Sequence, residues 1–205
     1  MLKSMSLALA LCTGVSAAHA AGSGVLSKEE VGAILGQPVT SVEGKGKHLT
    51  YKTASIYLEA TIEVDDRDAV GAMTGARKAT AMLGGTPEAV PGLGDEAFFG
   101  AMSVLYVRKG ESEAMIQAPN YQQEAQAKAM EKVQSAKGPD ETRKAMADLQ
   151  ALTKNDPGQA GLQGGDPTQG AMAVVNAASK KLGTEGEAKT RAMARALASK
   201  LMEKL

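Results

Sequence analysis

The chain has few aromatic residues and almost no cysteine or histidine. Trp is absent, Phe occurs twice, Tyr occurs four times, and the single cysteine is Cys12. Because base-binding platforms and many sugar-binding surfaces stack their ligands on aromatic rings, we do not expect surfaces of this kind. One cysteine and two histidines also fall short of the ligands that common zinc sites use, so no metal site is predicted.

The chain likewise lacks an excess of charge of either sign, with 23 basic and 23 acidic side chains. Nucleic-acid-binding proteins usually present a surplus of Lys and Arg, so no nucleic-acid partner is predicted. A phosphate-binding loop ending in Gly-Lys-Ser/Thr and a Gly-x-Ser-x-Gly nucleophile motif are both missing. The sequence therefore predicts no catalytic residue and no cofactor.

Long hydrophobic runs are missing too, and no transmembrane span is predicted. The first 20 residues nevertheless have the organisation of a signal peptide. Lys3 gives a cationic start, residues 7–18 are apolar or small, and the small-x-small rule places cleavage between Ala20 and Ala21. We therefore expect a periplasmic or secreted protein.

Cleavage at this point would leave a mature chain without cysteine. Lipidation of Cys12 is a weaker alternative, because Leu11 precedes the cysteine where a lipoprotein signal requires a small residue. Among charged residues, cleavage removes only Lys3, so 22 basic side chains would face 23 acidic ones, a net charge of −1. No disulfide is expected, although the compartment would allow one.

Residues 25–118 have the pattern of an α+β domain, an antiparallel sheet with helices packed on one face. The domain opens with a helix over 28–35, which Ser27 and Glu30 begin as a capping box and Gly36 ends in the left-handed conformation. Strict alternation over 55–64 predicts a strand with one buried face, joined to its predecessor by a turn around Ala54. The other elements predicted here are strands at 47–53, 96–101, 103–108 and 112–118 and a helix at 67–83, with Ala69, Met73, Ala76 and Leu83 on its apolar side.

A glycine-rich segment superficially matches a dinucleotide-binding fingerprint. The segment follows Pro91 and leads into a strand, whereas the fingerprint follows a strand and opens a helix. We therefore interpret Gly92 and Gly94 as residues of positive φ in a structural turn that Asp95 caps.

Three further features could carry chemistry, and each has a simpler structural interpretation. His48 has no evident catalytic partner and is interpreted as a polar residue at a sheet edge. Asp65, Asp66 and Asp68 lie at a helix start, where carboxylates complement the helix dipole. The methionines after residue 20 are spaced singly, which favours core filling over copper binding.

From residue 119 onward, the composition changes to Ala, Gln, Lys and Glu, which predicts a helical extension or insertion. Helices are expected at 121–136, 140–154, 168–182 and 186–204, with a flexible linker at 155–170. The last helix carries an apolar stripe that we expect to dock on the core. Because its other residues include several cations, peripheral membrane contact by 186–204 is the alternative. The stripe comprises Met193, Leu197, Leu201 and Leu205.

Several of these motifs resemble a group of bacterial envelope proteins of unknown function, many of them lipoproteins. The resemblance covers about residues 25–118 and is carried by short motifs: Leu26 to Gly36, Tyr51 with Tyr57, Gly92 to Ala97, and Ser103 to Gly110. It implies an exported sensing or binding module with no catalytic residues to carry over. This chain departs from the group in its missing lipidation signal and in its helical segment.

The sequence as a whole predicts an exported, non-enzymatic binding or accessory protein of the periplasm or cell envelope. Its partner would be a protein or small ligand that the sequence does not identify. One alternative is a structural or stress protein that contacts membrane or peptidoglycan through its C-terminal helices. Another is a hydrolase with an unrecognised pair of Asp or Glu residues.

Overall fold

The computed structural model describes residues 25–153 and 167–205. Within them, seven strands form one antiparallel sheet with helices packed against it, so the predicted α+β class is confirmed. The signal peptide and its cleavage site at Ala20 and Ala21 lie outside the described residues. The linker predicted at 155–170 lies mostly outside them as well, and its last four residues, 167–170, are helical.

The sheet has the strand order β1-β2-β3-β7-β6-β5-β4, and every neighbouring pair is antiparallel. In chain order the elements are α1 (Lys28–Leu35), β1 (Ser41–Lys45), β2 (His48–Lys52), β3 (Ala60–Asp65), α2 (Ala69–Met82), β4 (Glu88–Ala89), β5 (Glu96–Phe99), β6 (Leu105–Lys109), β7 (Ser112–Gln117), α3 (Tyr121–Gln134), α4 (Pro139–Thr153) and α5 (Pro167–Met202).

Both ends of α1 are fixed by local contacts. The Ser27 hydroxyl accepts a hydrogen bond from the Glu30 amide at 3.2 Å, and the Glu30 carboxylate accepts one from the Ser27 amide at 2.8 Å. Gly36 ends the helix with φ 70°. Lys204, near the end of the chain, donates to the same Glu30 carboxylate at 2.6 Å, and this bond lowers the pKa of Glu30. The first helix is thus tied to the last.

The strand predicted at 55–64 begins later, at Ala60, and this prediction was wrong for residues 55–59. Side-chain hydroxyls there bond to nearby backbone and compete with the ladder. The Thr53 hydroxyl accepts from the Ser55 amide at 3.2 Å, and the Ser55 hydroxyl accepts from the Tyr57 amide at 3.3 Å. As a result Ile56, expected on the buried face, is 78% exposed.

The helical predictions differ from the structure in two places. The helices expected at 168–182 and 186–204 are one continuous helix, α5. In α2, Ala69 and Met73 are buried as expected. Thr80 is buried as well, and its hydroxyl donates to the Ala76 carbonyl at 2.8 Å, whereas Leu83 lies beyond the helix end and is 68% exposed. Two strands at the sheet edges, β1 and β4, had no sequence signal, because β1 is exposed throughout and β4 has two residues.

The main core lies between one face of the sheet and the helices α1 and α5. Central strands contribute Ile62, Leu105 and Ile116, which are adjacent in the register and fully buried. From α5, Leu197 and Leu201 are fully buried, while the other members of the apolar stripe, Met193 and Leu205, pack against this core at its margin.

The opposite face of the sheet is covered in part by α2. Arg77 of α2 places its guanidinium 4.3 Å from the ring centroid of Phe98 and donates to Glu96 at 2.7 Å. Phe98 and Phe99 are consecutive strand residues and therefore point to opposite faces. The expectation of helices on one face holds for α1 and α5, whereas α2 lies on the other.

Two buried tyrosines are expected to respond oppositely to loss of their hydroxyls. Tyr51 donates to the Leu26 carbonyl at 2.5 Å, and burial raises the pKa of Tyr51 to about 12. Tyr121 is buried, and its hydroxyl has no hydrogen-bond partner within the described chain. Tyr51→Phe should lower the free energy of unfolding by about 1–2 kcal/mol, whereas Tyr121→Phe should leave it unchanged or raise it by up to about 1 kcal/mol. Urea denaturation followed by circular dichroism measures the free energy of unfolding of each variant. Equal losses would contradict the assignment of one bonded and one unbonded hydroxyl.

Candidate functional site

A cleft of about 770 Å³ opens at one end of the sheet. The chain segments that meet there are the turn before β3, the residues after α2, the turn after β5, the junction of β7 with α3, and one side of α5. The lining residues are Ile56, Tyr57, Glu59, Gly85, Thr86, Gly100, Met102, Ser103, Gln117, Ala118, Asn120, Gln122, Gln123, Glu187, Thr190 and Arg191. This volume falls in the range typical of small-ligand sites.

One wall of the cleft carries side-chain amides without protein partners. Gln117, Gln122 and Gln123 are exposed, and none of these amides is hydrogen-bonded within the part of the chain that the structure describes. Asn120 differs, since its side-chain oxygen caps α3 by accepting from the Gln123 amide at 2.9 Å. Each free carboxamide offers both donors and an acceptor to a ligand.

The junction behind this wall is closely packed. The Thr190 hydroxyl is buried, donates to the Pro119 carbonyl at 2.8 Å and accepts from the Tyr121 amide at 3.3 Å. At Gly186, α5 approaches α3 so closely that a Cβ atom would lie 2.4 Å from the Cα of Gln122. Gln122 and Gln123, two of the three glutamines in this amide wall, therefore lie on a helix that packs tightly against α5.

The lining of the cleft also includes a strained, exposed methionine. Met102 and Ser103 have φ 55° and 58°, a left-handed conformation that costs a non-glycine residue about 1–2 kcal/mol. The Met102 side chain is 84% exposed, so burial does not offset this strain. Ser103 donates to the Glu187 carboxylate at 3.4 Å, which links the turn to α5. Strain that holds an apolar side chain in water is typical of a functional position.

The charges of the cleft are two carboxylates, Glu59 and Glu187, and one guanidinium, Arg191. Arg191 donates to Glu88 at 2.5 Å and lies 3.3 Å from Glu187, and the bond to Glu88 lowers the pKa of that carboxyl. Its guanidinium also lies 4.8 Å from the ring centroid of Phe99. Among the described residues, Glu59 has neither an ion pair within 4 Å nor a hydrogen-bond donor, and Lys52 acts on it only at longer range, so its oxygens can accept from a ligand.

The glycine-rich turn lies at the other end of the sheet from the cleft. Gly92 and Gly94 have φ 77° and 63°, and a Cβ atom on Gly94 would lie 2.3 Å from the Arg108 carbonyl oxygen. The Asp95 amide donates to that carbonyl at 2.8 Å, and its carboxylate accepts from the Gly110 amide at 2.7 Å. These contacts fasten the turn to the β6–β7 hairpin and give it a structural role.

The aspartates near residue 66 are each satisfied by the protein. Asp65 pairs with Arg67 at 2.9 Å, Asp66 pairs with Lys47, and the Asp68 side chain caps α2 through the Gly71 amide at 3.0 Å. Among the residues described, no cluster of three or more His, Cys, Asp or Glu side chains could hold a metal ion.

His48 lies on β2, next to the edge strand β1. Its Nδ1 is 3.0 Å from Glu63, and both side chains are about half exposed. The residue does not line the cleft.

Glu113 on β7 makes the stability of the protein depend on pH. Burial raises the pKa of Glu113, and repulsion from Glu63 and Asp65 adds to the effect. A folded-state pKa above the unfolded-state value means that the fold favours the protonated acid. The free energy of unfolding therefore falls as pH rises from the unfolded-state pKa through the folded-state pKa. Glu113→Gln should therefore raise Tm at pH 7 and leave it unchanged at pH 3. Calorimetry at both pH values tests this, with exposed Glu111→Gln as a control that leaves Tm unchanged at both. A stabilisation of equal size at pH 3 would contradict the pH-linked cause.

Sequence reasoning missed most of the cleft. The sequence offers Tyr57 only through its resemblance to a strand tyrosine and Met102 only as one of the singly spaced methionines, and neither pattern indicates a site. The amide run around Gln117 to Gln123, directly after a strand, was an available signal. No sequence signal indicates the left-handed turn at Met102, because methionine rarely adopts this conformation.

The chain matches no protein-family model, no curated protein and no solved structure. The resemblance to bacterial envelope proteins therefore stays a prediction. Within the described residues, no helix has the length and apolar character to cross a membrane.

Proposed function

We propose that the protein is an exported, non-enzymatic binding protein of the periplasm or cell envelope and that its ligand occupies the cleft. The observation that carries this proposal is the convergence of free amides with two exposed apolar side chains, Ile56 and Met102, around one cavity. A bound ligand would give the amides hydrogen-bond partners and would remove the apolar side chains from water.

A hydrolase is less well supported. Glu59 and Glu187 do line the same cavity, so a carboxylate pair is present. Glu187, however, accepts from Ser103 and is ion-paired with Arg191, and it thereby supports the turn rather than standing free for proton transfer. General acid–base catalysis needs two groups that can exchange protons with the substrate.

Action at a membrane through α5 is also less well supported. Leu197 and Leu201, the centre of its apolar stripe, are buried in the core, so the same stripe would reach a bilayer only if the helix undocked. Undocking would expose the apolar face of the sheet as well, at a large cost in free energy.

Binding is tested by a thermal-shift screen with a panel of peptides, glycan fragments and small metabolites. A compound that occupies the cleft should raise the Tm of the wild type and of Gln134→Trp, which places the bulky side chain at an exposed position at the far end of α3. The same compound should have no effect on Gln123→Trp, which fills the cleft. A panel without such a compound, or turnover of a member, would overturn the proposal.

Export is tested separately by expressing the full chain in a bacterium and sequencing the N-terminus of the protein in each fraction. The expected result is a periplasmic or secreted protein that begins at Ala21. Cytosolic protein that still begins at Met1 would refute the localisation without bearing on the cleft.

A further inference from the structure

Two apolar side chains of the cleft, Ile56 and Met102, are suited to contact an apolar side chain of a ligand. Single exposed apolar residues are common on protein surfaces. Ile56 and Met102, however, come from separate turns and line one cavity, and Met102 is held there in a strained backbone conformation. A thioether is polarizable and flexible, so it adapts to aliphatic side chains of different shapes.

The amide wall matches a peptide backbone. Peptide groups present N–H donors and carbonyl acceptors in alternation, and the carboxamides of Gln117, Gln122 and Gln123 can pair with both. Sugar hydroxyls share this chemistry, but the lining contains one aromatic ring, that of Tyr57, for a sugar to stack against. The aliphatic and thioether groups of the rim are better suited to amino-acid side chains.

The charge of the cleft favours a basic ligand. Arg191 is held by Glu88 and Glu187, which leaves the Glu59 carboxylate without an ion pair within 4 Å among the described residues. Lys52, at the end of β2, forms its ion pair with Glu43 at 2.7 Å and acts on Glu59 only at longer range. A ligand with a Lys or Arg side chain would complete this pairing, while an acidic ligand would be repelled.

From these three features we infer that the ligand is an extended peptide segment with an aliphatic or methionine side chain and a nearby Lys or Arg. This inference rests on the proposed binding function. The apolar side chain lies between Ile56 and Met102, the backbone bonds to the glutamine amides, and the basic group pairs with Glu59.

The test is selection from a phage-displayed library of random dodecapeptides on the mature protein, residues 21–205. Enriched sequences should combine an aliphatic residue or Met with Lys or Arg. Synthetic fluorescent copies of the enriched peptide then give the affinity of each variant by anisotropy. Met102→Gly should weaken binding about tenfold, the effect of losing one buried apolar side chain. Glu59→Gln should weaken binding and reduce its salt dependence.

The variants separate a binding role from a structural one. Glycine adopts the left-handed conformation of residue 102 without strain, so the Tm of Met102→Gly should be unchanged or higher while its affinity falls. Met82→Ala is the matched control, because Met82 is 88% exposed and does not line the cleft. It should bind peptide as the wild type does.

Several outcomes would overturn the peptide inference. They are a library without enrichment, enrichment of acidic sequences, or affinities for Met102→Gly and Glu59→Gln within twofold of the wild type. If a glycan fragment or metabolite gives a thermal shift that Gln123→Trp abolishes while no peptide is enriched, the binding function stands and its peptide chemistry fails. If neither screen gives a cleft-dependent ligand, both fail.

Discussion

Replacing Gly186 by alanine is expected to lower the free energy of unfolding by about 2–3 kcal/mol, the usual cost of overpacking a close contact. A Cβ atom there would lie 2.4 Å from the Cα and 2.5 Å from the amide nitrogen of Gln122. Both are backbone atoms, so no rotamer change relieves the clash and α3 must move away from α5. The gain in helix propensity from Gly to Ala, about 1 kcal/mol, is too small to compensate.

Gly183→Ala is the matched control for this substitution. It lies one turn earlier in the same helix, and its added Cβ would meet the Gln122 side-chain nitrogen at 3.1 Å. Because that side chain is flexible and exposed, the control should be neutral or stabilise by up to about 1 kcal/mol. Denaturation curves of the two variants give the difference in their free energies of unfolding. Similar stabilities would show that α3 and α5 do not cross at Gly186.

Leu201→Ala is expected to lower the free energy of unfolding by about 3 kcal/mol, as for other fully buried leucines whose removal leaves a cavity. Leu201 is fully buried in the main core, at the end of α5 that covers the sheet. The matched control is Leu83→Ala, since Leu83 is exposed, and its effect should stay within about 0.5 kcal/mol.

The same variant distinguishes docking from membrane binding. If the stripe on α5 served a bilayer, Leu201→Ala would keep its stability and lose co-sedimentation with anionic phospholipid vesicles. In the docked arrangement, stability falls and sedimentation does not change. Deletion of 186–205 would not separate these outcomes, because it removes Leu197 and Leu201 from the core at the same time.

Sequence patterns identified the elements whose ends or faces are determined locally. The predicted helix at 28–35 coincides with α1 because Ser27, Glu30 and Gly36 fix both ends through neighbours in the chain. The strand predicted at 55–64 kept its buried face from Ala60 onward but lost its first half to hydroxyl–backbone bonds that alternation does not reveal. Local chemistry therefore outweighed periodicity at Ser55.

Local sequence patterns do not predict the elements that depend on tertiary contacts. Helices were expected at 168–182 and 186–204, yet α5 continues through 183–185, and its glycines at 183 and 186 allow the close approach to α3. The cleft combines residues from distant parts of the chain, from Ile56 to Arg191, and the strain at Met102 is a property of the folded backbone. The turn at Gly92 to Asp95, in contrast, could be placed from its glycines.

The docking of α5 at the very end of the chain also determines the order in which the protein can fold. A polypeptide that emerges N-terminus first has all seven strands available by residue 117, and β3 can then pair with β7 across about a quarter of the chain. On the face that carries Ile62, Leu105 and Ile116, α1 can then pack early, but the cover stays incomplete until Leu197 and Leu201 dock, and contacts of such long sequence separation form slowly. We therefore expect truncated chains that stop before α5 to be prone to aggregation, because the part of the sheet that Leu197 and Leu201 cover stays exposed in them.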